Sequence, residues 1–404
     1  MIEPVGVYIS IPFCRAKCTF CNFASDVFGG NRMQSYVEHL CGEIRVARSR
    51  AEGLGARLPS AVDSTYFGGG TPSLLSGEQF RLIFECLRGE FELAAGAEIT
   101  LECAPGQLSD GTLEELLRQG MNRISFGVQS FVDAESVAVG RLHTRQMCEE
   151  ELARVRGVGL QEINIDLIAG LPYQMEESWR FSVERAIASG VPHASVYMLE
   201  VDEGSRLGRE MLEKGSRYHA SAVPSEDAAA EWYQWACEAF AAAGLQQYEI
   251  SNFAREGHRS RHNLKYWRRE PYVGFGLDAH SMLRTDTGAV RFANTDDLDG
   301  YLDKRGPGST GLKMFAPAAP EVEVVGSEQA FEESLFLGLR LNEGVELDAL
   351  RSGFGEAMMG DVMPALLEVR EAGLLEMENG WARLTGRGRM ASNEVFSRLL
   401  VTSA

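Results

Sequence analysis

The sequence predicts an α/β fold built on a parallel sheet, with a small helical domain at the C-terminal end. Short apolar runs alternate with helical patterns six times before about residue 225, as βα units do in a parallel sheet. The composition then changes, and the last 75 residues or so have a mainly helical pattern. A chain of 404 residues is long enough for one α/β domain of roughly 200–250 residues and an appendage.

The six predicted strands are short runs rich in β-branched residues, at 5–11, 62–67, 98–102, 123–128, 162–168 and 194–199. Polar or glycine-rich segments follow the first five of them. Since the active sites of β/α barrels collect at the carboxyl ends of their strands, this placement favours a full or partial barrel over an open, doubly wound sheet.

Helical patterns lie between the strands, at about 33–50, from Ser76 onward, and at 112–119, 147–155 and 176–188. Ser76 with Gln79 three residues later predicts a capping box at a helix start. Gly120 is placed to end the third helix.

Three regions follow from these patterns: a barrel at 1–225, an extension that completes the barrel at 226–326, and a C-terminal domain at 327–404. The extension contains a helix at 228–243 ended by Gly244, a strand at 248–253, and a Gly-, Pro- and Ala-rich linker or exposed loop at 305–326. In the C-terminal domain an Asn379-Gly380 turn predicts a hairpin, and with the helices it predicts a winged helix. Because that domain has few basic residues, packing or protein contact is favoured over DNA binding.

The composition excludes several classes of protein. Hydrophobic residues make up 45% and charged residues 24%, as in ordinary globular proteins. A net charge of −19 argues against general nucleic-acid binding and docking on anionic membranes. The sequence has no apolar stretch of about 18 residues and no secretory signal at its start. We therefore expect a cytoplasmic protein whose eight cysteines are reduced.

Three cysteines lie within eight residues directly after the first strand, in Cys14-Arg-Ala-Lys-Cys18-Thr-Phe-Cys21. Three thiolates can bind three irons of a [4Fe–4S] cluster and leave the fourth iron open to a small molecule. The alternatives are chance and a structural zinc site. Zinc usually takes four ligands in pairs of cysteines, and a second pair is missing, although Cys41 or a histidine could complete a set.

The region from residue 5 to about residue 300 resembles the radical S-adenosylmethionine (SAM) family of oxygen-independent coproporphyrinogen III oxidases and their relatives, which include heme chaperones. The resemblance rests on several long motifs in one order: YISIPFC with the two following cysteines, FGGGTPS at 67–73, ECAPG at 102–106, RISFGVQS at 123–130, GRLH at 140–143, NIDLIAGLP at 164–172 and YEISNFA at 248–254. It implies a partial (β/α)6 barrel of the radical SAM type. It also implies that SAM chelates the open iron of the cluster.

Positions that match the family's SAM site are Tyr8, Phe20, Gly69, Gly70, Thr71, Glu102, Gln129, Arg141 and Asp166. From the residues alone, the glycine run could be an ordinary turn, although its amides could also bind a ligand. Glu102 could be a plain charged strand end, and Asp166, in an apolar strand, either functional or part of a structural ion pair. Ala104 stands where relatives often have Asn, which puts the details of the pocket in doubt.

Two features resemble the heme chaperone branch more than the oxidases. Phe23 stands where the oxidases have a fourth cysteine, and only 13 residues precede Cys14, where the oxidases have a longer leader. In addition, His262-Asn-Leu-Lys-Tyr266-Trp267 resembles the HNxxYW motif that this branch links to heme binding. The imidazole would be an axial ligand of heme and the aromatic rings would pack on the macrocycle.

The alternative for the HNxxYW segment is that His262 caps a turn and the aromatic residues fill space. His143 and His280 are further candidates for heme contact. The resemblance implies heme, a [4Fe–4S] cluster and SAM as bound groups, and heme-acceptor proteins, including respiratory-chain proteins, as partners. It allows a homodimer. Porphyrinogen oxidation stays open as the alternative function, and no residue is assigned a catalytic role.

Overall fold

The computed structural model describes residues 3–29, 31–302 and 322–399. Within these residues, thirteen strands form one sheet and three form a second sheet. The strands are β1 Val5–Ile11, β2 Ala56–Arg57, β3 Ala61–Gly69, β4 Glu92–Cys103, β5 Arg123–Gln129, β6 Glu162–Ala169, β7 His193–Met198, β8 Gln246–Gln247, β9 Asn252–Ala254, β10 Tyr272–Phe275, β11 His280–Thr285, β12 Ala289–Ala293, β13 Val322–Val325, β14 Val345–Glu346, β15 Leu375–Glu378 and β16 Trp381–Leu384.

The helices of the barrel region are α1 Asn31–Gly53, α2 Gly77–Glu90, α3 Asp110–Arg118, α4 Asp133–Ala138, α5 Arg145–Gly157, α6 Glu176–Ala188, α7 Arg206–Leu212, α8 Glu226–Ala242, α9 Arg261–Trp267 and α10 Leu298–Leu302. The C-terminal helices are α11 Ser327–Arg340, α12 Leu347–Phe354, α13 Glu356–Glu371, α14 Gly386–Met390 and α15 Ser392–Leu399. None of the helices in the described part of the chain is both long enough and apolar enough to span a membrane.

The centre of the large sheet is parallel. Its strands run in the order β1, β3, β4, β5, β6, β7, with every neighbouring pair parallel. These are the six predicted strands, so the predicted parallel sheet of βα units is confirmed. The sheet path does not close on itself among the described residues: it ends at β13 on one side and at β8 on the other. The barrel is therefore partial.

Strand β10 extends the parallel sheet beyond β1, with Gly6 opposite Tyr272 and Ile9 opposite Phe275. Strands β11, β12 and β13 continue that side in antiparallel pairs, and on the other side β7 pairs with β9 in antiparallel orientation. As a result, β1 lies between β3, which comes from the first quarter of the chain, and β10, which comes from the third quarter.

Most local predictions for the first half are confirmed by the observed bounds. The structure has the capping box at Ser76, whose hydroxyl accepts from Gln79 N at 3.3 Å while Ser76 N donates to Gln79 Oε1 at 2.9 Å. Gly120, with a φ of +93°, ends α3 as predicted, because glycine adopts left-handed backbone conformations without steric cost.

Two predictions for the extension are wrong in part. Of the predicted strand at 248–253, only residues 252 and 253 lie in a strand, β9. Residues 248–251 form the turn between β8 and β9, where Glu249 accepts from Ser251 N and Asn252 Nδ2. The predicted linker at 305–326 lies mostly outside the described residues, but Val322–Val325 pairs with β12 as a strand.

The C-terminal domain has its own apolar core, which includes Leu335, Leu339, Leu366 and Val369. Its hairpin of β15 and β16 turns at Asn379 and Gly380, with φ values of +52° and +81°. Positive φ at both positions is typical of a two-residue hairpin turn. The third strand, β14, pairs with β16, and together with the helices this confirms the winged-helix-like prediction.

Candidate functional site

Five neighbouring parallel strands, β3 to β7, direct side chains into a cavity of about 480 Å³. Successive side chains of a strand point to opposite faces, so residues two apart share the interior face. The strand residues that line the cavity are Tyr66, Gly69, Thr100, Glu102, Cys103, Arg123, Ser125, Gly127, Gln129, Asn164, Asp166, Ile168, His193, Ser195, Tyr197 and Met198. Most of them are polar, so the inside of this partial barrel is a binding site and not a packed core.

Cys14, Cys18 and Cys21 line the same cavity from the loop that follows β1. Backbone hydrogen bonds hold this loop on both sides: Thr19 N donates to Val139 O at 3.0 Å, and Thr19 O accepts from Leu207 N at 2.8 Å. The loop is therefore fixed against the segment after α4 and the start of α7.

Polar groups surround the thiols. Thr71 Oγ1 lies 3.7 Å from Cys14 Sγ, and Arg141 Nη1 lies 3.4 Å from Cys18 Sγ. Burial raises the pKa of the Cys14 and Cys21 thiols, so they keep their protons until iron replaces them. The positive charge of Arg141 beside Cys18 can offset the negative charges of the three thiolates in a metal-bound state.

Within the described residues, no three Cys, His, Asp or Glu side chains converge on the position of a single metal ion. A cubane cluster does not require such convergence, because each thiolate binds a different iron. A structural zinc ion does require it, with ligands at about 2.0–2.3 Å. Three thiols that line one cavity can each bind a different iron of a cubane cluster.

The glycine run after β3 packs against the chain that leads to the cysteine loop. Gly70 N donates to Ile11 O and Thr71 N to Phe13 O, both at 2.8 Å. A Cβ at Gly70 would lie 2.8 Å from Phe13 O, so only glycine allows this approach. The N–H groups of Gly70 and Thr71 are used internally, so of the two alternatives for the glycine run these two amides fit a turn. Both residues still line the cavity.

Glu102 lies at the end of β4 in the cavity wall. Its Oε1 accepts from Tyr66 OH at 2.8 Å, and Gly69 N–H also bonds to the carboxylate. Burial raises the pKa of Glu102 to about 7, with the charge of Asp166 adding to the effect. A buried carboxylate with this pKa is stabilised in its charged form by a cation, such as a ligand ammonium group.

Gln129 and Arg141 face each other across the end of β5. Gln129 has a φ of +67°, which is rare for a residue with a side chain. Its Oε1 is buried without a hydrogen-bond partner, as is Arg141 Nε. Buried polar groups are normally satisfied, so these two atoms are available to a polar ligand.

Asp166 lies on β6, and neutral groups bond to it: Ser125 Oγ at 3.1 Å and Asn164 Nδ2 at 2.7 Å. Burial raises the pKa of its carboxyl, while Arg141 acts on it from a distance and lowers it. Asp166 is thus held by a polar network in the cavity and not by a structural ion pair of its own.

Tyr8 and Phe20 are separated in the structure. Phe20 lines the main cavity, as predicted for a residue of the cysteine loop. Tyr8, on β1, lines a neighbouring cavity of about 350 Å³ together with Tyr266, Tyr272 and His280. The expected position of Tyr8 beside the main pocket is therefore shifted to the neighbouring cavity. Gly69 and Phe23 line both cavities, and Tyr8 lies behind these two residues as seen from the main pocket.

The HNxxYW segment forms α9, at the amino-terminal end of the barrel strands. His262 is 1% exposed, and both ring nitrogens are bonded, Nδ1 to Ser64 Oγ at 3.0 Å and Nε2 to Tyr266 OH at 2.9 Å. Burial lowers the pKa of His262 to about 3. The imidazole is a buried, neutral part of the barrel floor, so the role of His262 as a heme ligand stays a prediction that would require its present hydrogen bonds to be released.

Trp267, at the end of the same helix, packs with Leu341 and Tyr248. The guanidinium of Arg340, from α11, lies 4.4 Å from its ring centre. Trp267 thus joins the barrel floor to the C-terminal domain and does not line either cavity. Of the three predicted heme residues, only Tyr266 reaches a cavity wall.

The comparisons with known proteins agree with this geometry. The model of the Radical SAM superfamily matches residues 8–186, and that of the HemN C-terminal domain matches residues 326–391. The heme chaperone HemW of Escherichia coli (strain K12) is 34% identical over 401 residues, which cover 99% of each chain. The chain belongs to the HemW family.

A second relative in the HemW family, heme chaperone HemW of Bacillus subtilis (strain 168), is 32% identical over 398 residues, covering 98% of this chain and 99% of that one. Among solved structures, coproporphyrinogen III oxidase (HemN) from Escherichia coli, a radical SAM enzyme, superposes with a TM-score of 0.81 at 22% identity, covering 98% of this chain and 90% of that one. This superposition confirms the predicted fold class.

Membership of the radical SAM superfamily implies a [4Fe–4S] cluster and SAM as cofactors of this HemW-family chain. The residues present fit them, since the cysteine loop, Glu102 and the unpaired atoms of Gln129 and Arg141 line one cavity. Sequence reasoning missed other lining residues, chiefly Tyr66, Ser125, Asn164, His193 and Ser195. Their signal was a polar residue at every second position in strands that, being buried on both faces, would ordinarily be apolar throughout.

Proposed function

We propose that this protein is a heme chaperone, which binds heme and transfers it to acceptor proteins, on a radical SAM scaffold. The observation that carries the proposal is the match to HemW of Escherichia coli along 99% of each chain. A smaller cavity with aromatic walls, lined by Tyr8, Phe23, Tyr266 and Tyr272, adjoins the cysteine loop and offers rings for contact with a macrocycle.

The proposed cluster ligands are Cys14, Cys18 and Cys21. The proposed SAM-site residues are Phe20, Gly69, Gly70, Thr71, Glu102, Gln129, Arg141 and Asp166, with Tyr8 behind the glycine run. When bound, the cluster and SAM supply one-electron chemistry. This chain's own residues contribute a carboxylate for the ligand's ammonium group, hydrogen-bonding groups for its polar atoms, and an arginine beside a cluster thiolate.

The proposal extends to the cellular location, the partners and the domain organisation of the protein. We infer a cytoplasmic protein that delivers heme to acceptors such as respiratory-chain proteins and that can form a homodimer. We also retain the three regions 1–225, 226–326 and 327–404. The separate apolar core that begins at Phe331 supports the last boundary.

The alternative is oxidative decarboxylation of porphyrinogen propionates, and one observation favours it. Glu102, Asp166, Gln129 and Arg141 line one cavity with the three cysteines, so SAM bound there would lie beside a cluster. A preserved SAM site does not by itself show that a porphyrinogen is the substrate.

The test uses the full chain, reconstituted with iron and sulfide without oxygen, in two assays on one preparation. Heme is titrated by absorbance and its transfer to an apo heme protein is followed; separately, coproporphyrinogen III is incubated with SAM and a reductant. We expect one heme per chain, transfer to the acceptor, and no decarboxylated product.

A SAM-dependent product that disappears in Cys18→Ala, together with no specific heme binding, would refute the chaperone function and establish the alternative. The Cys18→Ala control is needed because it removes one proposed cluster ligand, so only decarboxylated product that this variant fails to form counts as cluster-dependent.

A further inference from the structure

A chain of buried hydrogen bonds runs through the inside of the barrel, from the main cavity to the residue that caps α9. It joins, in this order, Asp166, Asn164, His193, Tyr248 and Ser260. Asn164 and His193 lie opposite each other on β6 and β7, and both line the main cavity. Barrel interiors are usually filled with branched apolar side chains, so the position of this polar chain requires an explanation.

The Asp166 carboxylate sets the orientation of the Asn164 amide. An ionised carboxylate can only accept hydrogen bonds, and the donors around Asp166 lower its pKa against the effect of burial. The amino group of Asn164 therefore faces Asp166, with Nδ2 2.7 Å from Oδ1. The amide oxygen then faces His193, whose Nδ1 lies at 2.6 Å. An oxygen at this distance needs a donor, so Nδ1 carries a hydrogen.

The hydrogen bonds at the other end of the chain require the same tautomer of His193. Ser260 N, a backbone donor, bonds to Tyr248 OH at 3.3 Å. Burial raises the pKa of Tyr248, so its hydroxyl keeps a hydrogen, which it donates to His193 Nε2 at 2.9 Å. Burial also lowers the pKa of His193, and the charges of Arg123 and His258 add to this effect. The ring is therefore neutral, with its hydrogen on Nδ1 and not on Nε2.

This tautomer decides which end of the Asn164 amide faces Asp166. Without the N–H group of His193, the amide could turn over and place its oxygen beside a carboxylate oxygen. Two acceptors repel each other, so Asp166 would lose a hydrogen bond and leave its present direction. A charged group in a binding site keeps its direction only where the residues behind it are fixed. His193 is 2% exposed and Asn164 5%, so both are held by packing as well.

We propose that His193 is a positioning residue for SAM: with its hydrogen on Nδ1, it holds the Asn164 amide in the orientation that presents Asp166 to the ligand as an acceptor. SAM has donors of the required kind in its ribose hydroxyls and its ammonium group. The inference rests on the proposed SAM site and adds to it a residue outside the set predicted from the sequence. His193 acts through Asn164, and neither a proton nor an electron is transferred.

The first measurement is ¹⁵N nuclear magnetic resonance of the full, reconstituted chain labelled at histidine. The two nitrogens of a neutral imidazole resonate far apart, and only the protonated one is directly coupled to a hydrogen. The signals of His193 are identified by their absence in His193→Gln. We expect a neutral ring with the hydrogen on Nδ1. A hydrogen on Nε2, or a doubly protonated ring, would overturn the proposal without any need for a variant to be stable.

The second measurement is the dissociation constant of SAM, with the thermal unfolding midpoint of each variant beside it. His193→Leu removes both hydrogen bonds of the ring, whereas His193→Gln can restore them, because an amide donates through nitrogen and accepts through oxygen. The matched control is His39→Leu on α1, since His39 is also 2% exposed and its ring packs on Tyr301 at 4.6 Å between centres. We expect SAM to bind about tenfold more weakly or worse in His193→Leu, and within about threefold of wild type in the other two variants.

Two results would overturn the role of His193 and leave the SAM site in place: wild-type affinity in His193→Leu, or a loss in His193→Gln as large as in His193→Leu. Failure of the wild type to bind SAM would refute the SAM site itself and this inference with it. Should His193→Leu fail to fold, the tautomer and the affinity of His193→Gln still decide, since a tenfold loss in His193→Gln also contradicts the proposal.

Discussion

Replacing Glu102 by Gln tests whether the protein keeps a destabilising carboxylate in its pocket for the sake of a ligand. Burial raises the pKa of Glu102 from 4.5 to about 7. The folded state therefore binds this proton more tightly than the unfolded state does. It follows that the stability of the cofactor-free chain falls as the pH rises from about 4.5 to about 7 and then levels off.

The magnitude follows from that difference. About 2.5 pH units, at about 1.4 kcal/mol each, correspond to about 3 kcal/mol. Glu102 keeps some contact with the open cavity, so water screens part of the cost, and Gln loses one of the two hydrogen bonds to the carboxylate at about 1 kcal/mol. We expect Glu102→Gln to stabilise the cofactor-free chain by about 1–2 kcal/mol at pH 8 and by almost nothing at pH 4.5.

The assay is thermal unfolding of the cofactor-free chain at both pH values, with Glu114→Gln as the control on an exposed position of α3. A gain of about 1–2 kcal/mol corresponds to a few degrees in the midpoint. Equal midpoints for wild type and Glu102→Gln at pH 8, or an equal shift at both pH values, would refute the reasoning. The same variant is expected to bind SAM at least tenfold more weakly in the reconstituted protein.

Three further predictions concern other parts of the molecule. Cys18→Ser is expected to lower the iron content after reconstitution to under a quarter of the wild-type value, whereas Cys237→Ser, on α8, keeps it; iron and sulfide analysis decides. Gly276→Ala is expected to destabilise the chain by about 2 kcal/mol more than Gly257→Ala in urea unfolding. Both glycines have positive φ, but only the Cβ at Gly276 would clash with Tyr36 OH and Ser10 O. Trp267→Ala removes the ring that joins the barrel floor to Arg340, and we expect faster cleavage between the barrel and the C-terminal domain in limited proteolysis; an unchanged cleavage pattern would contradict this.

The elements that could be predicted from the sequence are those whose pattern is local. The bounds of β1 and α6 agree with their predictions to the residue, because each has a clear apolar period and a defined start. The turn at 248–251 resembled the start of a strand because its apolar residues contact distant elements, as Tyr248 does with Leu341. Contacts of that kind cannot be predicted from periodicity.

The residues of the candidate site also differ in whether a local sequence pattern predicts them. Cys14, Cys18 and Cys21 could be found from their spacing, Glu102 from a charge at the end of an apolar strand, and Asp166 from a charge within one. The position of His262 could not be found. Its partner Ser64 is 198 residues away in the sequence, and only the packing of α9 under the barrel shows that its nitrogens are already used.

The position of β1 between β3 and β10 has a consequence for synthesis of the chain on the ribosome. The ribosome makes the cysteine loop soon after β1. However, β10, one of the two neighbours of β1, is complete only when Phe275 has been made. The turn after β10, at Gly276 and Leu277, also donates hydrogen bonds to two side chains of α1, Glu43 and Tyr36. Until then the nascent chain presents the three cysteines in a loop after a strand that can pair on one side only, so stable cluster insertion is expected to follow translation and not accompany it.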